Sequence, residues 1–195
     1  MDAERDRIVT AIAKAVAEHG YAHLTLEVVL TYAGVSRQTF ARHFDSLEQG
    51  LVAAQDEFLN RLRLEIAAAC ELDRPWADNV RAALEAGLLY LAEASALARV
   101  FTVEVTAASL AASERQFATL DGLAEMLSEG RRFFPRAAAM PPATERALVG
   151  GIASIVSDRL LSEEPRTLVD LEPQLAEFIL LPYVGRSEAS RIARG

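Results

Sequence analysis

The chain has 195 residues, of which 51% are hydrophobic and only 7 are proline, so it is long enough to bury a core and does not have a disordered composition. Its net charge of −8 excludes a generally basic protein that coats nucleic acid. It has no uncharged apolar window of about 18 residues, and its acidic start is unlike a secretory signal. We therefore expect a cytoplasmic protein without a membrane-spanning segment.

The charge is unevenly distributed along the chain. Residues 1–50 contain seven acids and five bases, a net charge of −2, which leaves −6 for residues 51–195. Residues 36–44 nevertheless contain Arg37 and Arg42 and no acid. Any contact with DNA would therefore come from a local patch.

The first 44 residues predict three helices. An apolar stripe with helical spacing runs between Asp2 and Gly20, where glycine ends the first helix. Thr25 is placed to cap a short second helix, and Gly34 gives the backbone the freedom for a sharp turn. Ser36 caps a third helix, whose Phe40 points inward. Two short helices joined by one glycine turn form a helix-turn-helix.

The rest of the chain also shows helical periodicity. A capping box at residues 45–48 starts a long fourth helix toward residue 70, and a fifth helix begins near residue 76. Residues 94–112 are helical in tendency, but the β-branched run at 100–106 predicts a bend or another conformation. A helix ending near residue 130, a loop at 134–142, a helix at 143–161 ended by residues 163–165, and a last helix at 171–184 follow. The fold is predicted to be all-α, with about nine helices.

Residues in the first fifty positions follow the order and spacing of a known family. They are Gly20 and Tyr21, Thr25 and Leu26, the run Ala33, Gly34, Val35 and Ser36, then Thr39 and Phe40, and finally His43, Phe44 and Ser46. In this pattern the chain resembles the TetR/AcrR family of bacterial transcriptional regulators. The resemblance implies a DNA-binding domain at residues 1–46 and an effector-binding and dimerisation domain at residues 47–195. It further implies a homodimer, most simply a repressor, that binds a palindromic double-stranded DNA operator and is released by a small-molecule effector.

The side chains of the helix-turn-helix are the candidate DNA contacts. Gln38 suits adenine, and the Thr39 methyl group suits thymine, whereas Arg37 and Arg42 serve phosphate or guanine equally well. An ordinary solvated helix face is the alternative. The full candidate set is Thr25, Ser36, Arg37, Gln38, Thr39, Arg42 and His43.

Two positions depart from the family pattern. Family members usually carry tyrosine where this chain has Ala41 and lysine where it has Leu47, and both commonly touch the DNA backbone. The missing lysine lowers the expected salt dependence of binding by roughly one phosphate contact.

Aromatic and apolar residues between the fourth helix and the last two helices are the candidate ligand contacts, although most aromatic stripes are core. Glu104 is the polar residue of an apolar run, so it either orients a cationic or hydrogen-bonding ligand or is a surface carboxylate. We expect an apolar effector. The candidates are Trp76, Tyr90, Phe101, Glu104, Phe117, Met126 and Phe133.

The helices at 143–161 and 171–184 carry the candidate dimer interface. Gly150 and Gly151 lie inside the first of them, where each costs about 1 kcal/mol relative to alanine, and a close backbone approach would offset that cost. We expect the two helices of each protomer to form a four-helix bundle. The predicted interface residues are Leu148, Gly151, Ile152, Ile155, Leu175, Phe178 and Ile179.

Signals for catalysis are weak. The sequence has no Gly-x-Ser-x-Gly elbow, phosphate-binding loop or Cys/His cluster, and Gly20 interrupts the spacing of His19 and His23. We predict no enzyme activity, no catalytic residues, no cofactor and no metal site. The single Cys70 is predicted to be a small buried group. The rival hypothesis is a helical dimer that binds a small molecule or a protein and has weak or lost operator binding.

Overall fold

A computed structural model describes residues 3–162 and 165–194, with the side chains of residues 165 and 166 left out. Its regular structure is helical throughout these ranges, which confirms the predicted all-α class. The chain divides into two compact units. Unit 1 comprises Met1–Asn60 and Ala96–Gln116, and unit 2 comprises Arg61–Ser95 and Phe117–Gly195. The predicted boundary between a DNA-binding domain (residues 1–46) and an effector-binding and dimerisation domain (residues 47–195) separates functions, not compact units, and it stays a prediction.

The described residues form eleven α-helices rather than about nine, joined by short 3₁₀ and π turns. In chain order they are α1 (Ala3–His19), α2 (Leu26–Ala33), α3 (Arg37–His43), α4 (Leu47–Ala68), α5 (Trp76–Glu93), α6 (Ser95–Arg99), α7 (Val105–Ala108), α8 (Leu110–Ser128), α9 (Thr144–Leu161), α10 (Glu172–Val184) and α11 (Arg186–Arg194). The 3₁₀ turns are Tyr21–His23, Glu129–Arg132, Pro135–Ala139 and Pro165–Leu171, and the π turn is Val100–Glu104.

The helix-turn-helix of unit 1 forms by the predicted caps. The Thr25 hydroxyl accepts the Val28 N–H at 3.3 Å, and the Ser36 hydroxyl accepts the Thr39 N–H at 3.0 Å. Gly34 adopts φ 62°, ψ 38°, the left-handed conformation that ends a helix without steric cost in glycine alone. These local interactions set the turn between α2 and α3.

Apolar side chains of α1 to α4 and α6 to α8 form the core of unit 1. Phe40 and Phe44 lie on the buried side of α3 and its end, with ring centroids 5.5 Å apart. Gly50 allows α4 to approach α1 closely, because a Cβ at this position would lie 2.8 Å from Cδ1 of Ile12. The core thereby holds α3 with its opposite side exposed.

The start of α4 differs from the prediction by one residue. Ser46 caps the helix, since its hydroxyl accepts the Gln49 N–H at 3.1 Å, and the Gln49 side chain accepts the Asp45 N–H at 2.7 Å. Glu48 instead accepts the hydroxyl of Ser109 at 2.7 Å. The capping box therefore pairs Ser46 with Gln49, because glutamine lies one turn into the helix from this cap.

The β-branched run adopts a π turn, which confirms the predicted departure from regular helix. A fully buried glutamine of α4, Gln55, supports this region: its Nε2 donates to the carbonyl oxygens of Phe101 at 2.8 Å and Ala112 at 3.2 Å. The Thr106 hydroxyl is a third acceptor, at 3.2 Å. The amide thereby links α4 to the π turn and to α8, and the Phe101 carbonyl also accepts the Thr106 hydroxyl at 3.1 Å.

Unit 2 has a mixed apolar and ionic core. The Trp76, Phe134 and Tyr183 rings pack together, with Trp76 and Tyr183 centroids 4.6 Å apart. Buried Glu145 accepts bonds from Arg131 Nε and Nη2, each at 2.7 Å, and from the Tyr183 hydroxyl at 2.8 Å. Arg131 lowers the pKa of the Glu145 carboxyl, whereas burial, then Glu145, raises that of the Tyr183 phenol.

Unit 2 differs from the sequence predictions in two further respects, and one prediction falls partly on residues that the structure does not describe. Cys70 is exposed rather than buried, because it lies beyond the end of α4. The helix α11 was not predicted. The predicted stop at 163–165 falls partly on residues 163 and 164, which lie outside the described residues.

Within the described ranges, no single helix is long and apolar enough to cross a membrane. The required length and hydropathy are reached only when Trp76–Glu93 and Ser95–Ala108 are counted together.

Candidate nucleic-acid interface

The exposed side of α3 carries the predicted base-reading and phosphate-binding side chains. Arg37, Gln38 and Arg42 are all exposed, whereas Phe40 is buried beneath them. Gln38 forms no side-chain hydrogen bond with any residue that the structure describes, so its amide is available to a base edge. The structure therefore brings three of the seven candidates together on one accessible surface.

Three hydroxyl candidates have structural partners. Thr25 and Ser36 cap α2 and α3, and the Thr39 hydroxyl lies 3.0 Å from that of Ser36. The Thr39 hydroxyl also accepts from Arg42 Nη2 at 3.3 Å. These groups position the helix start; the Thr39 methyl group is the part still suited to a base contact.

Both arginines of α3 form ion pairs with acids that sequence reasoning missed. Arg37 pairs with Glu27 of α2, and Arg42 Nη2 lies 3.4 Å from the Glu4 carboxylate of α1. His43 Nε2 lies 3.3 Å from the same carboxylate, and its side chain is only 12% exposed. Because the partners are 10, 38 and 39 residues apart in sequence, only the fold places them together. The positive patch is thus partly neutralised in the free protein.

A further cation contacts the residue at which α3 ends. The Arg5 guanidinium of α1 is 5.4 Å from the centre of the Phe44 ring, a cation–π distance. At the two positions that depart from the family pattern, Ala41 is exposed and Leu47 is half-buried. Neither an alanine nor a leucine side chain can donate a hydrogen bond to a phosphate.

The predicted ligand residues do not form one cluster in either unit. In unit 1, Phe101 is buried against Phe58, with centroids 5.6 Å apart, and Glu104 pairs with Arg99 at 2.7 Å. The Glu104 carboxylate therefore has a cationic partner of its own. In unit 2, Phe117 and Met126 are exposed on α8, and Tyr90 is half-buried on α5. Trp76 and Phe133 both line one cleft of unit 2.

The predicted dimer residues divide by burial. Leu148, Leu175 and Ile179 are buried within the protomer, so they support the surface from below rather than form it. Ile155 and Phe178 are each 41% exposed, and Gly151 and Ile152 are half-buried. A Cβ at Gly151 would lie 3.4 Å from the Phe178 ring, whereas one at Gly150 would meet no atom within 4 Å. Close approach within the protomer thus accounts for Gly151 alone.

No group of three or more His, Cys, Asp or Glu side chains among the described residues has the geometry of a metal site.

The comparisons with known proteins bear on the fold. The sequence matches no protein-family model and no curated protein. Among solved structures, it is similar to the fatty acid degradation regulator FadR from Bacillus halodurans, with a TM-score of 0.75 at 19% identity over 92% of this chain and 96% of that one. RolR in complex with resorcinol gives a TM-score of 0.71 at 18% identity over 97% and 92% of the two chains. A tetR-family regulatory protein from Rhodococcus RHA1 gives 0.67 at 20% identity over 94% and 98%. The chain therefore has the fold of TetR-family transcriptional regulators.

Proposed function

We propose that this protein is a cytoplasmic, ligand-responsive transcriptional regulator that binds a palindromic operator as a homodimer and acts as a repressor. The observation that carries the proposal is the exposed side of α3, where Arg37, Gln38 and Arg42 project from a helix held by the Ser36 cap and the buried Phe40. The fold shared with solved transcriptional regulators supports it.

The dimensions of α3 suit the major groove. Its seven residues make a rod of about 10 Å, and the major groove is about 12 Å wide. Gln38 would pair with adenine, and Arg37 and Arg42 would bind phosphate or guanine after leaving their acidic partners. Base contacts by a capped helix, rather than a basic surface, would then carry recognition.

A homodimer supplies the second recognition helix. The exposed Ile155 of α9 and Phe178 of α10 support an isologous four-helix contact built over buried Leu148, Leu175 and Ile179. Helix-turn-helix dimers read half-sites about 34–36 Å apart, which requires a fixed distance between the two α3 helices.

A small-molecule effector would control that distance. RolR was solved with resorcinol, and FadR from Bacillus subtilis with stearoyl-CoA, which supports effector binding by this chain, within residues 74–140. The continuous helix α4 has residues in both units and would transmit the change. A full switch from 1:99 to 99:1 requires about a 10⁴-fold preference of the effector for the DNA-incompetent state.

Fluorescence polarisation on DNA flanking the coding region tests the proposal. We expect sequence-selective binding, and the double variant Arg37→Ala/Arg42→Ala should weaken it and reduce the slope of log K against log salt by about 2. Arg132→Ala/Arg146→Ala is the matched control, because both arginines are exposed, ion-paired residues of unit 2. Absence of sequence-selective binding at low salt, or an equal effect of both double variants, would contradict the proposal.

The second candidate is a helical small-molecule or protein-binding dimer with weak or lost operator binding. It is favoured by Ala41 and Leu47, and by the ion pairs that engage Arg37 and Arg42. The same titration separates the two, since this candidate predicts no difference between operator and unrelated DNA.

A further inference from the structure

Unit 2 contains a cleft of about 650 Å³ at the start of α5, beside residues 133–136 and α11. This volume lies within the range of small-molecule sites, about 300–1,000 Å³. The residues used below are Trp76, Phe133, Phe134, Arg136 and Tyr183, all of them in its lining.

The aromatic wall of the cleft is preformed. Trp76 lies 5.5 Å from Phe134 and 4.6 Å from Tyr183 between ring centroids. Its ring is held against the backbone of Gly130, where a Cβ would come within 2.3 Å of Trp76 Cζ2. Tyr183 is fixed in turn by its hydrogen bonds to Glu145 at 2.8 Å and to the Leu127 carbonyl at 3.2 Å. A flat ligand would therefore meet a rigid surface without an ordering cost.

The cleft lining contains two acids, Asp78 and Glu188, and two arginines, Arg136 and Arg191, which differ in their partners. Arg191 is bound by both oxygens of Glu188, at 2.9 and 2.5 Å. The hydrogen bonds that Arg191 donates to Glu188, the charge of Glu188 and the charge of Asp78 all raise the pKa of the Arg191 guanidinium. Arg136 forms no ion pair or hydrogen bond with any residue that the structure describes. Its Nη1 lies at the Gly185 backbone, 2.5 Å from where a Cβ would stand.

We propose that this cleft binds a small aromatic carboxylate, with its ring against Trp76 and Phe133 and its carboxylate on Arg136. Phe133 is 63% exposed, and a ligand ring would cover it. A guanidinium fork binds a carboxylate with two charge-assisted hydrogen bonds, and aromatic rings add offset or edge contacts. The proposal deepens the proposed function, on which its regulatory meaning rests, because most of the cleft residues lie within residues 74–140. Binding itself is measured without DNA, so its failure is distinguishable from a failure of operator binding.

Trp76 is the only tryptophan of the chain, so its fluorescence reports directly on the cleft. The probes are 3-phenylpropionate and its neutral isostere 3-phenylpropionamide, titrated into the full-length protein without DNA. We expect the carboxylate to bind about tenfold more tightly than the amide, because only the carboxylate forms charge-assisted bonds with Arg136. In Arg136→Gln this preference should disappear, with amide binding unchanged.

Arg132→Gln is the matched control, because Arg132 is an exposed arginine of the preceding turn that pairs with Glu129 at 2.5 Å and does not line the cleft. It should keep the preference. Phe133→Ala should weaken both probes alike. The proposal is overturned if the wild-type protein binds neither probe, if it binds both equally, or if Arg136→Gln keeps the preference; the wild-type comparison decides even if a variant fails to fold. DNA binding, measured separately, bears on the proposed function alone.

Discussion

Glu145 is the buried acid on which the core of unit 2 depends, and Glu145→Gln should destabilise this unit strongly. The Glu145 side chain is 5% exposed, and its carboxylate accepts two bonds from Arg131 and one from Tyr183. Glutamine has nearly the same shape, but it is neutral and replaces one acceptor oxygen with an NH₂ group. The substitution thus removes a charge and places a donor against the guanidinium.

The magnitude follows from what remains after the change. Removing one partner of a buried ion pair costs about 3–5 kcal/mol when the other charge stays buried and uncompensated. Arg131 is less isolated, because its side chain is 25% exposed and also donates to the Met140 and Pro141 carbonyls at 2.9 and 2.8 Å. We therefore expect a loss of about 2–3 kcal/mol in the free energy of unfolding, which lowers Tm by about 5–10 °C for a chain of this size.

Thermal unfolding followed by circular dichroism, at one fixed protein concentration, measures the effect. Asp121→Asn is the matched control, because it neutralises the acid of an exposed ion pair, Arg146–Asp121 at 2.6 Å. Its Tm should stay within about 2 °C of wild type, since exposed pairs contribute little. Equal shifts for the two variants would refute the reasoning that burial makes the Glu145 network stabilising.

The same network predicts a pH dependence. Arg131, through its hydrogen bonds, lowers the pKa of Glu145 in the folded state below its value in the unfolded chain. Its contribution is therefore complete above the ordinary glutamate pKa of about 4.3, and it is lost as the pH falls through the lower folded value. The Tm difference between wild type and Glu145→Gln should stay constant above about pH 4.3 and shrink as the pH is lowered below it. A difference that stays constant below that pH as well would contradict this assignment.

Three further substitutions test unit 1. Gly34→Ala should lower the free energy of unfolding by about 1–2 kcal/mol, because alanine is strained at φ 62° although no atom lies within 4 Å of its Cβ. Its control, Gly122→Ala in open space on α8, should instead raise the free energy of unfolding by about 0.5–1 kcal/mol. Chemical denaturation measures both variants. Gln55→Leu should cost about 1–3 kcal/mol, since it removes a buried donor to the Phe101 and Ala112 carbonyls, of which Phe101 keeps the Thr106 hydroxyl; an unchanged denaturation midpoint would exclude that role. If operator binding is found, Glu27→Gln should raise affinity severalfold at low salt by releasing Arg37, whereas Glu57→Gln, an exposed acid of α4, should have little effect in the same polarisation assay.

Local chemistry predicted the helix-turn-helix well. The Thr25 and Ser36 caps, the left-handed Gly34 and the buried Phe40 all depend on interactions within a few residues, which sequence spacing reveals. The shift of the α4 capping box to Ser46 and Gln49 has the same origin, because two overlapping local patterns competed at that helix start. The DNA-binding roles of the residues on α3 remain predictions.

Pairings between distant segments were beyond the sequence pattern. Glu4 and Glu27 carry no sign in sequence that they neutralise Arg42 and Arg37, because acids on helix surfaces are ordinarily solvated. The predicted ligand residues do not form one cluster, for a similar reason. Helical periodicity identifies an apolar side chain such as Phe101, but it does not distinguish a residue packed against Phe58 from one that lines a cleft.

The sequence by itself determined the helical class, most helix ends and the exposed side chains of α3, because capping, glycine conformation and apolar periodicity act over one or two turns. Only the tertiary structure decided which charges are paired and which surfaces are open. Glu145 contacts Arg131 and Tyr183, whereas Arg136, which has no ion pair among the described residues, lines the same cleft as Trp76, because separate segments of unit 2 converge there. Such convergence depends on packing between helices, which no local pattern encodes.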